Sequence, residues 1–270
     1  MIDLNNLYKD GFFKIQNAPF EIEDYLLYSC ISGSHAYGTA TENSDVDTRG
    51  LFYLPESYTF GLLNCQNISS NKEDIMYYSI KKFFELAIKN NVNILELLFM
   101  HKEMVQFCHP LFNEFVLKNK YKFLSKRIGY TFGSYAYQQV NLALTKKAHG
   151  TGRIQLVEKY GIDVKAIAHC VRLYRMGKEV LLTGNLQVHR PDAPFLLDIR
   201  NGKYSLGELL TEGKDEKGRM TIVGGIIGEE SKLFNEALAV SKLPEEPNFN
   251  ELNDILVKFQ KELYKERVNV

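Results

Sequence analysis

Two aspartates one residue apart, closing a fifteen-residue segment that opens on Gly-Ser, constrain this chain more than any other feature. The segment reads Gly33-Ser34-His35-Ala36-Tyr37-Gly38-Thr39-Ala40-Thr41-Glu42-Asn43-Ser44-Asp45-Val46-Asp47. Before it, the mainly apolar run Tyr25 to Ser32 predicts a buried strand ending at Gly33. After it, Ser44 to Tyr53 resumes strand character through Val46, Leu51, Phe52 and Tyr53. A Gly-Ser pair at a strand end can open a short helix whose free N–H groups and dipole suit a triphosphate. Gly33 has no Cβ and lets backbone approach closely, and Ser34 adds a hydroxyl. On a strand, Asp45 and Asp47 would project from the same face. Two adjacent carboxylates repel unless a cation lies between them. Mg2+ fits, because it takes oxygen ligands and needs only one or two carboxylates besides substrate phosphates. With a third carboxylate, two ions would activate an attacking hydroxyl and stabilise the leaving pyrophosphate oxygen. Either half of the segment, taken alone, is an ordinary solvated turn. Their combination between two strands is what points to chemistry.

Further along, Ile75 to Tyr78 is a weaker strand candidate. Ser79 to Asn90 carries Ile80, Phe83, Phe84, Ala87 and Ile88 at helical spacing and stops at Asn90, Asn91 and Asn93. Asn93 to Met100 opens another helix. From about Glu103 the pattern is chiefly helical. Asp163 is an N-cap for a run that reaches Leu182 and closes at Gly184, and Ser205 with Glu208 forms a capping box. Residues 213–219 read as an exposed loop, and helices over 229–241 and 248–266 flank the Pro244 to Pro247 break. The expected division is a mixed α/β catalytic domain over 1–104 and a helical substrate-binding domain over 105–270.

The Gly33–Asp47 segment resembles the helical turn and double carboxylate of the DNA polymerase beta-like nucleotidyltransferase superfamily. Thr48-Arg49-Gly50, Tyr78 to Phe83, Asn93-Ile94-Leu95-Glu96-Leu97-Leu98 and Lys165 to Gly184 extend the likeness to a nucleotidyltransferase family typified by RNA-ligase-associated members. The resemblance implies an α+β minimal nucleotidyltransferase palm with a small mixed sheet. It also implies nucleoside triphosphate donors, ATP among them, and Mg2+ or Mn2+. Under it, Gly33 and Ser34 bind phosphate, Asp45 and Asp47 hold metal, and a third carboxylate comes from a neighbouring strand. Asp74, just ahead of Ile75, is the choice for that third member, with Glu73 and Glu96 as alternatives. The resemblance leaves the acceptor open.

Two further clusters carry charge. Lys165, His169 and Arg172 fall at i, i+4 and i+7 of one helix, on one face amid apolar residues, and are expected to contact triphosphate or acceptor. A solvated stripe is the plainer reading. Residues 115–157 contain eight Lys/Arg and no acid, interleaved with aromatics such as Tyr121, Tyr130 and Tyr137. Such a stretch suits a nucleic-acid acceptor, basic groups tracking phosphates and rings stacking bases, although rings at this spacing also make helix core. His35, inside the turn, is placed either at phosphate or as a spacer. The four cysteines lack metal-ligand spacing and read as free thiols. With 45% hydrophobic and 24% charged residues, no basic-apolar leader and no apolar run of about 18 residues, a soluble cytoplasmic protein is expected. Two rival functions remain at this stage: an enzyme that adds AMP or UMP to a protein, and a non-catalytic nucleotide-binding module.

Overall fold

The apolar run after Tyr25 forms β1 (Leu26–Ser32), in which every residue but Ile31 is buried. A computed structural model of the chain describes residues 19–70, 74–144, 151–214 and 220–268. β1 pairs antiparallel with β2 (Asp47–Phe52) on one side and with β5 (Val105–Cys108) on the other. β2 runs parallel to β4 (Ile75–Ser79), which pairs antiparallel with β3 (Asn67–Ser70), giving the order β3-β4-β2-β1-β5. The small mixed sheet is as the sequence predicts. β5 is not: residues after Glu103 read as helical, yet Val105–Cys108 extends the sheet. Four half-exposed residues on a sheet edge are too few for periodicity to register.

Both faces of the sheet are covered. One face gathers Ile22, Leu26, Phe52, Ile68, Ile75 and Tyr77 into a buried cluster. At its centre Gly50 faces Ser29 and Tyr77 across the two ladders. The Tyr77 ring lies over the glycine, and its hydroxyl meets Ser29 Oγ at 3.0 Å. Against the opposite face pack α3 (Ile80–Ile88) and α5 (Pro110–Phe115), with the Phe112 ring 5.3 Å from that of Tyr28 and 6.1 Å from that of Phe83. The asparagine run divides its labour. Asn90 takes a left-handed conformation that ends α3, and the Asn91 side chain caps α4 (Val92–Leu98) by accepting from Ile94 N at 3.3 Å.

The C-terminal helix α12 (Phe249–Val268) returns to this sheet, placing Phe259 6.3 Å from Phe112. Two compact units result. The first holds the described residues up to Phe123 and from Pro247, and the second holds Leu124–Glu246. These limits differ from a single cut after residue 104. β5, α5 and the 3-10 turn Leu117–Phe123 stay with the sheet, and α12 rejoins it by contacts that sequence order does not display.

In the second unit α8 (Val164–Thr183) is central. Around it lie α6 (Arg127–Leu144), α7 (Thr151–Tyr160), α9 (Ala193–Arg200) and α11 (Gly225–Val240). Its ends follow the predicted signals: Asp163 accepts from Ala166 N at 3.0 Å, and Gly184 takes φ +67°. Ser205 and Glu208 make the capping box that opens α10 (Leu206–Leu209). Gly213 and Lys214, expected in a loop, belong to β6 (Thr211–Lys214), which pairs with β7 (Met220–Gly224); residues 215–219 lie outside the described set. Gly177 lets Phe234 of α11 lie against α8, since a Cβ there would stand 2.5 Å from the ring. Arg175 then joins three helices, bonding Glu230 at 2.6 Å and Asp192 at 2.8 Å. Burial raises the Asp192 carboxyl, but the Arg175 and Arg190 guanidinium groups outweigh it and hold Asp192 below the usual carboxylate range. No described helix is long and apolar enough to cross a membrane.

Gly50 has no room for a side chain within the sheet. A Cβ there would stand 2.2 Å from the Tyr28 carbonyl oxygen and 2.3 Å from the Tyr77 ring. Gly50→Ala is therefore expected to cost about 3 kcal/mol. The melting midpoint should fall by roughly 6 °C or more, as differential scanning calorimetry would record.

Candidate active site

The site is assembled where β1 ends and β2 begins. Ser32 and Asp47 are partners in the antiparallel ladder, and Ser32 Oγ donates to the Asp47 carbonyl at 3.5 Å. The chain then turns at Gly33, φ +64°, into α1 (Gly33–Tyr37). A Cβ on Gly33 would lie 2.1 Å from Asp47 Oδ2 and 2.9 Å from its Cγ. Only glycine tolerates both this backbone conformation and this neighbour. The Asp47 carboxylate thus lies directly against the Gly-Ser turn. Ser34, half-buried in α1, uses its carbonyl to accept from Thr39 N at 2.9 Å, and Gly38 closes the turn at φ +74°.

Asp45 is placed differently from the sequence expectation. The strand starts at Asp47, not Ser44, so Asp45 lies in the preceding loop and is exposed. Strand alternation therefore does not orient it. The loop itself is ordered by Ser44, whose Oγ accepts from Thr41 N at 2.8 Å and whose carbonyl lies 3.4 Å from His35 Nε2. That contact gives His35 a structural task within the turn.

The sequence assigns Arg49 no role beyond flanking Asp47. Two residues along β2 from Asp47, it shares that residue's face, and its guanidinium donates to Asp47 Oδ1 at 3.0 Å. It also donates to the carbonyls of Thr48 at 2.9 Å and Asp74 at 2.6 Å. The Asp-x-Arg alternation is the signal that finds it. Asp74 immediately precedes Ile75, the partner of Thr48 in the parallel ladder, so continuing the register brings Asp74 alongside Asp47. Its backbone is left-handed, φ +49°, and its carbonyl accepts from Thr48 N at 3.0 Å. Among the described residues no group of three His, Cys, Asp or Glu side chains is arranged to hold a metal ion. Glu73 lies outside the described residues.

Glu96 is buried and accepts from the Tyr37 hydroxyl at 2.7 Å, which ties α4 to the last residue of α1. The sequence offers Glu96 as an alternative third carboxylate and gives no signal for its bond to Tyr37. Cys30 is the ladder partner of Arg49; burial pushes its thiol up to about 12, with the Tyr28 hydrogen bond and the Arg49 charge pulling down and the Glu96 charge pushing up.

Lys165, His169 and Arg172 belong to the second unit and differ in burial along α8. Lys165 is exposed. The His169 ring is half-buried, edge-on to Tyr135 at 4.9 Å, and Arg172 is buried with its Nη1 3.1 Å from Met176 Sδ. Among the described side chains of the acid-free stretch, most of the cations meet carboxylates. Lys122, Lys126 and Arg127 pair with Glu251, Glu245 and Glu246, and Lys118 with Glu114. Its aromatics divide as well: Phe123 and Phe132 are core, while Tyr121, Tyr130 and Tyr137 are exposed.

Among curated proteins none is similar enough in sequence to count as a relative. The family model described as the RNA repair pathway DNA polymerase beta family matches residues 14–258, a span that contains the Gly-Ser turn, both aspartates of Asp-x-Asp, Arg49, Asp74 and Glu96. With that much of the chain matched, this protein belongs to the RNA repair pathway DNA polymerase beta family, and its first unit carries a DNA polymerase beta-like nucleotidyltransferase palm.

Proposed function

We propose that this chain transfers a nucleoside monophosphate from a nucleoside triphosphate to a hydroxyl group of RNA and releases pyrophosphate. The observation that carries the reading is the contact of the Asp47 carboxylate with the Cβ-less face of Gly33. A carboxylate held against a phosphate-accepting turn is costly by repulsion unless a cation joins the two. Membership of an RNA repair family supports RNA as the acceptor over protein or a small molecule.

The donors suit a divalent ion by their chemistry, being all oxygens, while the three carboxylates do not converge on one point without a change of side-chain position. Asp45 and Asp47 would hold Mg2+ or Mn2+, with Asp74 as a third carboxylate, and two carboxylates with substrate phosphates suffice for Mg2+. Once bound, such an ion neutralises phosphate charge and lowers the pKa of a hydroxyl. The chain's own groups do the positioning. Gly33 leaves room for phosphate oxygens beside Asp47, and Ser34 offers its hydroxyl. Arg49 tethers Asp47 weakly through Oδ1, and the Tyr37–Glu96 bond steadies the far end of α1.

Asp45→Asn and Asp47→Asn should each lower triphosphate-dependent pyrophosphate release by about a hundredfold or more, since several kcal/mol of charge stabilisation is lost. Circular dichroism should remain native, the exposed Arg49 pair being worth only about 0–1 kcal/mol. Appreciable turnover in both variants would remove the assignment. With nucleotide labelled at the α-phosphate, the label should appear in RNA; its appearance in protein from a lysate would redirect the reading to a protein modifier.

Gly33→Ala tests the cradle separately. Its methyl group would enter the space of Asp47 Oδ2 and force a left-handed alanine, a strain of about 1–3 kcal/mol. The expected result is a folded protein with turnover reduced as in Asp47→Asn; wild-type turnover would rule the contact out as functional.

A further inference from the structure

Four of the described cations in the acid-free stretch find carboxylates; Lys120 does not. Among the described residues no carboxylate lies within ion-pair distance of its ammonium, which stands 4.5 Å over the Phe99 ring and 5.4 Å over that of Tyr121. The same is true of Lys102. Lys120 is half-buried, and desolvation lowers its pKa, so a nearby anion would relieve a cost the fold now bears.

Lys102, Lys118 and Lys120 open on one cavity of about 540 Å3, walled by the exposed edge of β5 and by Leu98 and Leu117. Gln106 and Asn113 contribute amides to the lining. Since Gln106 Oε1 accepts from Ser29 Oγ at 2.9 Å, its N–H groups are what it can offer a ligand. Cations, amide donors and apolar walls in one cleft suit a phosphate-bearing ligand with an organic body. The volume is of nucleotide size, well beyond inorganic phosphate.

Its place in the sheet adds a direction. Tyr28, which lines the cavity, is on the same face of β1 as Ser32, the ladder partner of Asp47. Val105 pairs with Cys30, and Cys30 with Arg49, so two strand spacings, about 10 Å, separate the groove's β5 wall from β2.

We infer that this groove binds the phosphodiester backbone of single-stranded RNA and leads the acceptor strand toward the Asp47 end of the sheet. The inference rests on the transferase reading for its direction, though not for the binding itself. An acidic peptide laid along β5 is the competing occupant. The edge disfavours it, because β5 is four residues long and its ladder with β1 shifts register between Ser29 and Cys30, a break that spoils strand addition.

The test uses full-length protein and a fluorescein-labelled 12-nucleotide RNA, with anisotropy read at several salt concentrations. Lys102→Glu/Lys120→Glu should weaken binding by about tenfold or more, and the neutral pair Lys102→Gln/Lys120→Gln should lower the salt slope by about 1.4, the figure for two phosphate contacts on a single strand. Unchanged affinity in both lysine pairs, or displacement of the RNA by poly-glutamate at equal charge, overturns the groove. Should wild-type protein release pyrophosphate from a triphosphate without binding the RNA, the groove falls while the transferase reading stands. RNA binding that depends on the lysines in a protein without transferase activity has the reverse meaning.

Discussion

β2 is held between an antiparallel neighbour and a parallel one, and its register against both decides what Asp47 meets. Against β1 it faces Ser32 and hence the Gly33 turn; against β4 the continued register brings Asp74 alongside. A slip of one residue would turn Asp47 into the apolar cluster around Tyr77 and send Thr48 to the site. What opposes the slip is three residues away. Gly50 is the one position on β2 that lies under the Tyr77 ring and beside the Tyr28 carbonyl, with no room for a Cβ. Any neighbour moved into that place would clash. Asp-Thr-Arg-Gly thus has an alternating logic, in which Asp47 and Arg49 share the face that meets the Gly33 turn while Thr48 and Gly50 lock the strand against the core.

Features that depend on near neighbours were legible in the sequence. The caps at Asp163, Gly184 and Ser205 act within one helical turn, and β1 announces itself by a mainly apolar run. The Gly-Ser turn into α1 was legible for the same reason. Features set by distant partners were not. The strand starts at Asp47 because its ladder to Ser32 begins there, so Asp45 falls in a loop that an alternation argument cannot orient. β5 exists because the edge of β1 needs a partner, not because Val-Gln-Phe-Cys has a strong preference of its own. The basic stretch looked unopposed because Glu245, Glu246 and Glu251, which neutralise much of it, lie more than a hundred positions later. Tyr37 and Glu96, 59 positions apart, likewise gave no warning of their hydrogen bond.

Arg49 raises the question of how a cation can occupy the site without competing for the carboxylate that the site needs. Its anchoring supplies the answer. Two of its three acceptors are the backbone carbonyls of Thr48 and Asp74, which are fixed by the parallel ladder and by the left-handed turn at Asp74. The guanidinium therefore stays in place whether or not Asp47 remains bonded to it. The Asp47 pair is about one-third exposed on both sides, where such a bond contributes about 0–1 kcal/mol. Little free energy is lost if Asp47 turns toward another cation, and the positive charge left behind is still satisfied by two carbonyl dipoles. The same anchoring holds the backbone of Asp74 next to β2 although its left-handed conformation is unfavourable for a non-glycine residue. An arginine bound chiefly by main chain, with one carboxylate on a weak tether, keeps the strand ends together whether or not that carboxylate turns toward another cation.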